Sequence, residues 1–162
     1  MDYRTQKTTE EDLTGILQLN QAAMPAVSSL SHSELLGIFL EADHCRSLCA
    51  QGKIAGFLIC LGPGKSYQSP NYQWFRKRYE CFLYVDRIVI DVPHQGMGMG
   101  KILYDEMREF ARPNYSHLTC EINLRPPNEG SMVFHQRYGF RQVGSQNTEG
   151  GEKKVALMEY KI

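Results

Sequence analysis

The sequence has no excess of charge of either sign and no long hydrophobic run. Lysine and arginine together number 18, the same as aspartate and glutamate, so no strong overall field attracts nucleic acid or an anionic membrane. No apolar stretch approaches the roughly 20 residues that a membrane-spanning helix needs. The polar N-terminal segment lacks the apolar region of a signal peptide. These absences predict a cytoplasmic protein that acts on neither nucleic acid nor membranes.

The sequence also lacks the cysteine patterns of disulfide-rich and zinc-binding proteins. Its five cysteines are an odd number, and they include neither a C-x-x-C pair nor a cysteine–histidine set with the spacing of zinc ligands. Most stand in apolar runs, where a free thiol behaves as a small hydrophobic side chain. We therefore expect buried free thiols and no metal site. The cysteines are Cys45, Cys49, Cys60, Cys81 and Cys120.

Hydrophobic periodicity predicts an α/β (α+β) fold with a mixed sheet, in a single domain over residues 1–162. This length suits one domain with one sizeable core. The elements follow in the order β-α-α-β-β-β-α-β-α-β-β. Residues 63–78 are rich in turn formers and are predicted as a long loop. The strands on either side of the helix at 99–113 should run parallel.

Local capping and turn signals mark the ends of several elements. Ser31 and Glu34 have the spacing of a capping box at the start of the second helix. Gln51-Gly52 is typical of a hairpin turn between two strands. Gly139 stands where a helix would end, a position that favours glycine.

Three glycines occupy alternate positions directly before a predicted helix, in HQGMGMGKILY (residues 94–104). A Walker A loop is excluded, because Gln95 replaces its first glycine and Ile102 its serine or threonine. The spacing G-x-G-x-G, past the middle of the chain, also fails the dinucleotide-binding fingerprint. A strand, a glycine-rich turn and a helix nonetheless present unpaired N–H groups and a helix dipole to an anion. This pattern indicates phosphate binding, with a tight turn for close helix–sheet packing as the alternative.

The residues around these glycines belong to a wider pattern. In RIVIDVPHQGMGMGKILYDEM, a strand leads through Pro93 to a Gln-x-x-Gly-x-Gly run that opens the helix, with one extra residue between Ile90 and Pro93 relative to the commonest form. The downstream segment PPNEGSMVFHQRYGF follows Asn-x-x-Ser-x-x-Phe-Tyr-x-x-x-Gly-Phe at Asn128, Ser131, Phe134, Gly139 and Phe140. Together with the order of elements, these motifs resemble the GNAT superfamily of acyl-CoA-dependent N-acyltransferases. The resemblance covers the whole chain and implies a central twisted mixed sheet of about seven strands with helices on both faces.

The resemblance implies a binding site for acetyl-CoA. The glycine-rich turn would hold the pyrophosphate of the coenzyme through its main chain, and the pantetheine arm would lie along the preceding strand. Residues of the downstream helix would also contact the cofactor. The side chains of Met97 and Met99, within the turn, are expected to pack. The cofactor-binding residues so assigned are Ile88, Val89, Ile90, Gln95, Gly96, Met97, Gly98, Met99, Gly100, Lys101, Asn128, Ser131 and His135.

Acyl transfer to an amine needs a group that accepts the amine's proton, since a lysine-like amine has a pKa near 10.4 in solution. The resemblance points to Asp86 as the base, acting through water, with an ion pair to a nearby arginine as the alternative. Glu121 is the rival base. It shares a strand face with Asn123, on a strand that the resemblance expects to border the active-site cleft.

The reaction also needs a proton donor for the leaving thiolate. His135 stands where the family usually has a tyrosine acid. An imidazolium could supply the proton. The alternative is a histidine at the edge of the core with its hydrogen bonds satisfied. Tyr84 and Tyr104 are weaker acid candidates, and Tyr138 is expected to pack.

The segment SYQSPNYQWFRKRYECFLY contains the only tryptophan. We interpret it as an aromatic wall that selects the amine, in part by cation–π contact, or as a hydrophobic cluster beneath a long loop. Solvated surface charge is the favoured interpretation of its three basic residues. The substrate-binding candidates are Tyr72, Trp74, Tyr84 and Asn123.

These inferences predict an N-acetyltransferase that moves an acetyl group from acetyl-CoA to a primary amine of a small molecule, or of a peptide or protein. The amine would attack directly in a ternary complex. A non-catalytic acyl-CoA-binding sensor or regulatory module is the alternative, and a longer acyl chain is a third interpretation. A homodimer is also compatible with the sequence.

Overall fold

Seven strands form one mixed sheet in the computed structural model, which describes residues 2–162. The strand order is β1-β2-β3-β4-β5-β7-β6. The strands are β1 (Tyr3–Lys7), β2 (His44–Ala50), β3 (Lys53–Leu61), β4 (Phe82–Ile90), β5 (His117–Arg125), β6 (Arg141–Thr148) and β7 (Lys153–Lys161). The helices are α1 (Leu13–Ala22), α2 (His32–Glu41), α3 (Pro70–Arg76), α4 (Met99–Ala111) and α5 (Glu129–Tyr138).

The chain divides into two compact units. The first comprises the chain up to Leu61 together with Asp86–Phe110, and the second comprises Gly62–Val85 together with the chain from Ala111 onward. Strand β4 therefore contributes its first residues to the second unit and its last residues to the first. No helix of the described residues is both long and apolar enough to cross a membrane.

The first unit contains the antiparallel strands β1, β2 and β3. Gln51 and Gly52, both at positive φ, make the tight turn between β2 and β3, as predicted. The predicted capping box is also confirmed, because the Ser31 hydroxyl accepts from the Glu34 N–H and the Glu34 carboxylate accepts from the Ser31 N–H. Helices α1 and α2 bury an apolar face in this unit, formed by Leu13, Ile16, Leu35 and Ile38.

The second unit is built on β4 and β5, which run parallel in register from Phe82 opposite His117 to Tyr84 opposite Thr119. This confirms the direction predicted for the strands that flank α4. Strand β7 pairs antiparallel with both β5 and β6. Helix α5 ends at Gly139, whose φ of 120° confirms the predicted glycine stop.

The prediction of a loop over residues 63–78 is corrected by the structure, since α3 occupies Pro70–Arg76. Ser69 caps this helix by accepting from the Tyr72 N–H, and Pro70 takes its first position. Tyr72 and Phe75 are fully buried. A seven-residue helix has too few turns for a periodic pattern, so its turn-forming neighbours dominated the prediction.

All five cysteines are free, as predicted. Cys60 and Cys120 are buried, whereas the other three are half-buried. The expectation of burial therefore holds fully for two of them.

Candidate functional site

The glycine-rich turn lies in the first unit, between the end of β4 and the start of α4. A short 3-10 turn over Val92–His94 leads into it, and α4 begins at Met99. Gly96 has a φ of 75° and Gly98 a φ of 83°, conformations that side-chain-bearing residues rarely adopt.

The space around Gly96 and Gly98 distinguishes the two interpretations of this turn. No atom of the described chain, apart from each glycine's own neighbours, lies within 4 Å of the position that a Cβ would take at either residue. Close helix–sheet packing would have placed atoms there. These glycines instead combine a left-handed backbone with an open approach to the main chain, which is the geometry that an anion cradle requires.

Side chains on both sides fix the turn. Gln95 Nε2 donates to the Ile90 carbonyl at 2.9 Å. Met99 is buried against Leu48 and Ala55, as expected. Met97 corrects the packing expectation, since it is 52% exposed; its Sδ accepts a hydrogen bond of 3.1 Å from the Tyr3 hydroxyl.

The other cofactor-binding candidates near the turn differ in exposure. Lys101 is exposed and forms a surface ion pair with Asp105, with Nζ and Oδ2 2.6 Å apart. Val89 is buried, and Ile88, Ile90 and Gly100 are half-buried.

Asp86, the first candidate base, forms the arginine ion pair that the sequence left open. Its Oδ2 accepts from Arg87 Nε at 2.7 Å, and the two side chains are 3% and 4% exposed, respectively. Arg87 Nη1 also donates to Asn20 Oδ1 at 2.8 Å and to the Ser28 carbonyl at 3.2 Å, and its Nη2 donates to Ser28 Oγ at 3.3 Å. The pair therefore anchors the segment between α1 and α2 to β4.

Glu121, the second candidate base, is held by Tyr84 in the second unit. The Tyr84 hydroxyl donates to Glu121 Oε2 at 2.7 Å. Tyr84 is opposite Thr119 in the β4–β5 register, so Glu121, two residues further along β5, lies on the same face. The Tyr84 ring is fully buried, whereas Glu121 and Asn123 are half-buried. The bond orients the carboxylate.

Helix α5 and its N-cap bring together three predicted residues. Asn128 caps the helix by accepting from the Ser131 N–H at 3.3 Å. His135 Nδ1 lies 2.7 Å from the Ser131 carbonyl, and this contact is a hydrogen bond when the nitrogen carries the proton. His135 is 3% exposed, and this burial lowers its pKa although the bond to Ser131 opposes the shift. These observations favour the satisfied core-edge histidine over an imidazolium acid.

The aromatic segment of the second unit serves mainly in packing. The Tyr72 hydroxyl donates to the Gly62 carbonyl at 2.8 Å, and its ring is fully buried. The guanidinium of Arg78 lies 3.6 Å from the centroid of the Trp74 ring, so the chain itself supplies a cation to this aromatic face. A Cβ at Gly144 would be only 2.6 Å from Trp74. These contacts favour the hydrophobic cluster over a substrate wall.

Tyr104, a weaker acid candidate, and Tyr138, which was expected to pack, both pack in the structure. Tyr104 is fully buried in α4. Tyr138 packs against Phe140 and Tyr160, with ring centroids 6.1 and 5.7 Å away. The packing expected of Tyr138 is therefore present.

The sequence interpretation missed the partners of Arg87 and the contacts of Tyr3. Arg87 meets Asn20 and Ser28, which are 67 and 59 residues away along the chain. Tyr3 contacts Met97, 94 residues away. No spacing rule connects residues so far apart. Only the presence of two adjacent charged residues, Asp86 and Arg87, in the otherwise apolar strand FLYVDRIVI could have drawn attention to Arg87.

Comparison with known proteins gives a consistent family and fold. The sequence matches the Acetyltransferase (GNAT) family over residues 13–140. The ribosomal-protein-S18-alanine N-acetyltransferase from Escherichia coli has a TM-score of 0.76 and 16% identity, over 99% of this chain and 94% of that one. Ard1 from Thermoplasma volcanium has a TM-score of 0.80 and 15% identity, over 100% of this chain and 99% of that one.

A third similar structure is the GNAT-like decarboxylase GphF in complex with isobutyryl-CoA. It has a TM-score of 0.76 and 15% identity, over 98% of each chain. At these identities the structural likeness concerns the fold, and it confirms the predicted GNAT-like architecture. No curated protein is significantly similar to the chain in sequence.

Proposed function

The chain belongs to the acetyltransferase (GNAT) family, and on that premise we propose that it is an N-acetyltransferase. It transfers an acetyl group from acetyl-CoA to a primary amine by direct attack in a ternary complex. Family membership indicates acyltransferase activity; the acetyl donor and the amine acceptor are the proposed specificity.

The observation that carries this proposal is the open backbone at Gly96 and Gly98. Their left-handed conformations and the free space beside them fit a diphosphate that approaches the main chain closely. The first N–H groups of α4 and its dipole favour negative charge at the same end of the helix. Gly96, Gly98 and Gly100 would hold the diphosphate through main-chain N–H groups, with the Lys101 ammonium adding positive charge. The Gln95 N–H already donates to the Val92 carbonyl at 3.2 Å, so Gln95 would shape the turn rather than bind the anion through its main chain.

Glu121 is the proposed base. The thioester, when bound, supplies an activated acyl group. The attacking amine must first lose a proton, and an α-amine, with a pKa of about 7.7–8.0, does so more readily than a lysine side chain. Glu121 accepts that proton directly or through one water. The hydrogen bond from Tyr84 holds the carboxylate in position, and Tyr84 is thus a positioning residue.

His135 is not needed as the acid. A thiol has a pKa of about 8.5, so a thiolate leaves near neutral pH at modest cost without a dedicated donor. The lowered pKa of His135, caused mainly by burial, keeps its ring neutral there. We assign Asn128 and His135, which both bond to Ser131, to the support of the first turn of α5, which would contact the cofactor.

The acceptor is proposed to be a small-molecule amine or the α-amine of a peptide. The peptide class is supported by the fold neighbour that is a ribosomal-protein-S18-alanine N-acetyltransferase. An acceptor panel should therefore contain peptides that begin with alanine as well as amino acids and simple amines.

Two measurements test the proposal. Calorimetric titration with acetyl-CoA and with desulfo-CoA should give micromolar binding that Gly98→Glu abolishes. Gly150→Glu is the matched control, because Gly150 also has a positive φ and open space around it but lies in the turn between β6 and β7. Failure of the wild type to bind either ligand would overturn the proposal.

The second measurement is thiol release with the acceptor panel. Turnover that Glu121→Gln lowers by about 10²–10⁴-fold is expected for loss of a general base. Tight cofactor binding without turnover on any amine would support the alternative, a non-catalytic acyl-CoA-binding module.

A further inference from the structure

Tyr3 of β1 contacts the glycine-rich turn on both sides of Gly96. Its hydroxyl donates to Met97 Sδ at 3.1 Å and lies 3.3 Å from His94 Nδ1. The Tyr3 and His94 rings also meet edge to face, with centroids 5.7 Å apart and an interplanar angle of 88°. Both contacts connect β1 to a segment more than 90 residues further along the chain.

The Tyr3 hydroxyl can form hydrogen bonds with both neighbours at once. A phenol has one hydrogen to donate and lone pairs with which to accept, so donation to the Met97 sulfur leaves a lone pair for His94 Nδ1. The contact with His94 is therefore a hydrogen bond when His94 Nδ1 carries a proton and donates it to the phenol oxygen. In that arrangement one side-chain oxygen bridges residues 94 and 97 and sets the distance across the turn.

A turn that contains two glycines needs such an anchor. Glycine loses more conformational freedom on ordering than any other residue. Without an anchor, ordering this glycine-containing turn around an anion therefore costs conformational entropy. The Gln95 bond to Ile90 ties the turn to the end of its own strand. Tyr3 connects the turn to a second strand, β1, and its ring packs against the buried cluster that contains Met99.

We propose that Tyr3 is a positioning residue that preorganises the turn over residues 94–98 for the diphosphate of an acyl-CoA. The inference rests on the proposed function, because it concerns the same diphosphate site. Tyr3 does not touch the ligand in this account. It acts through His94 and Met97 on the main chain that does.

Tyr3→Phe is the direct test, since it keeps the ring and its packing and removes only the hydroxyl. Thr5→Val is the matched control. Thr5 is two residues along the same strand and on the same face, and its hydroxyl donates to Glu106 in α4 instead of to the turn. A general loosening of β1 would affect both variants alike.

Titration with CoA should separate the two variants. Loss of the hydroxyl contacts is expected to weaken binding by Tyr3→Phe about 3- to 10-fold, whereas Thr5→Val should stay within about twofold of the wild type. Melting curves establish that both variants are folded at the temperature of the titration. Wild-type binding that Tyr3→Phe leaves unchanged, or that both variants weaken equally, overturns the inference alone. Absence of CoA binding by the wild type overturns the proposed function, and the inference with it.

A second readout separates positioning of the turn from a general structural defect. S-acetyl-N-acetylcysteamine carries the thioester but no phosphate, so it cannot use the turn. Tyr3→Phe should raise the KM for acetyl-CoA and leave kcat/KM for S-acetyl-N-acetylcysteamine unchanged. Equal losses with both donors would show that Tyr3 supports the fold rather than the diphosphate site.

Discussion

Asp86 and Glu121 are both candidate bases, and the structure predicts that neutralising Asp86 lowers stability whereas neutralising Glu121 lowers activity. Asp86 and Arg87 form a buried ion pair with side chains 3% and 4% exposed, respectively. Removing one partner of such a pair costs about 3–5 kcal/mol, because the other charge is left buried. Asp86→Asn retains an amide oxygen for the 2.7 Å bond from Arg87 Nε, and Arg87 keeps its bonds to Asn20 and Ser28.

Asp86→Asn is therefore expected to lower the free energy of unfolding by about 3 kcal/mol, the low end of that range. For a domain of this size that corresponds to a melting temperature about 6–12 °C lower. Glu121→Gln should change the melting temperature little, because Glu121 is half-buried and the glutamine oxygen can still accept from the Tyr84 hydroxyl. Its kcat/KM should nevertheless fall about 10²–10⁴-fold.

The assay is thermal unfolding of each variant, followed by steady-state turnover at a temperature at which every variant is folded. Asp86→Asn should then keep kcat within about tenfold of the wild type. The double variant Asp86→Asn/Arg87→Met removes both charges and should lose less stability than the sum of the single losses. A 100-fold loss of kcat in Asp86→Asn with an unchanged melting temperature would refute this reasoning and make Asp86 the base.

Two further predictions concern stability. Gly144→Ala should lower the free energy of unfolding by about 1–3 kcal/mol through overpacking, since its Cβ would be 2.6 Å from Trp74. Gly37→Ala, in a helix with open space, should raise it by up to about 1 kcal/mol. Denaturant unfolding of both variants tests these opposite signs. Burial lowers the pKa of His44 from 6.5 to about 4, so between these values the unfolded chain binds more protons and stability falls as pH falls, by up to about 3 kcal/mol. In unfolding titrations, His44→Phe should flatten this decline, and replacement of the exposed His32 should leave it intact.

Local signals in the sequence were sufficient for much of the fold. The capping box of Ser31 and Glu34, the Gln51-Gly52 hairpin and the Gly139 helix stop are all present in the structure, because each depends on a few adjacent residues. The parallel β4–β5 pair followed from the intervening helix. Helix α3 escaped prediction because its seven residues are too few to show a period.

Within the candidate site, the sequence supplied candidate residues but not their surroundings. It found the glycines that the left-handed turn requires, because a positive φ is a property of the single residue. The sequence left an arginine ion pair of Asp86 as one of two alternatives. Neighbouring residues on a strand point to opposite faces, so only the structure shows that the long Arg87 side chain bends back to Asp86. Which carboxylate is paired was therefore a question of tertiary structure.

The sequence by itself determined the order of elements apart from α3, the two motifs and the family, since these depend on residue types at fixed short spacings. Tertiary structure alone decided that His135 is buried, that Trp74 is covered by Arg78, and that Tyr3 contacts the glycine-rich turn. Burial and long-range hydrogen bonds arise when segments far apart in the chain pack together. For that reason the ionisation of a histidine, or the anchor of a turn, is set by neighbours that no local pattern in the sequence can name.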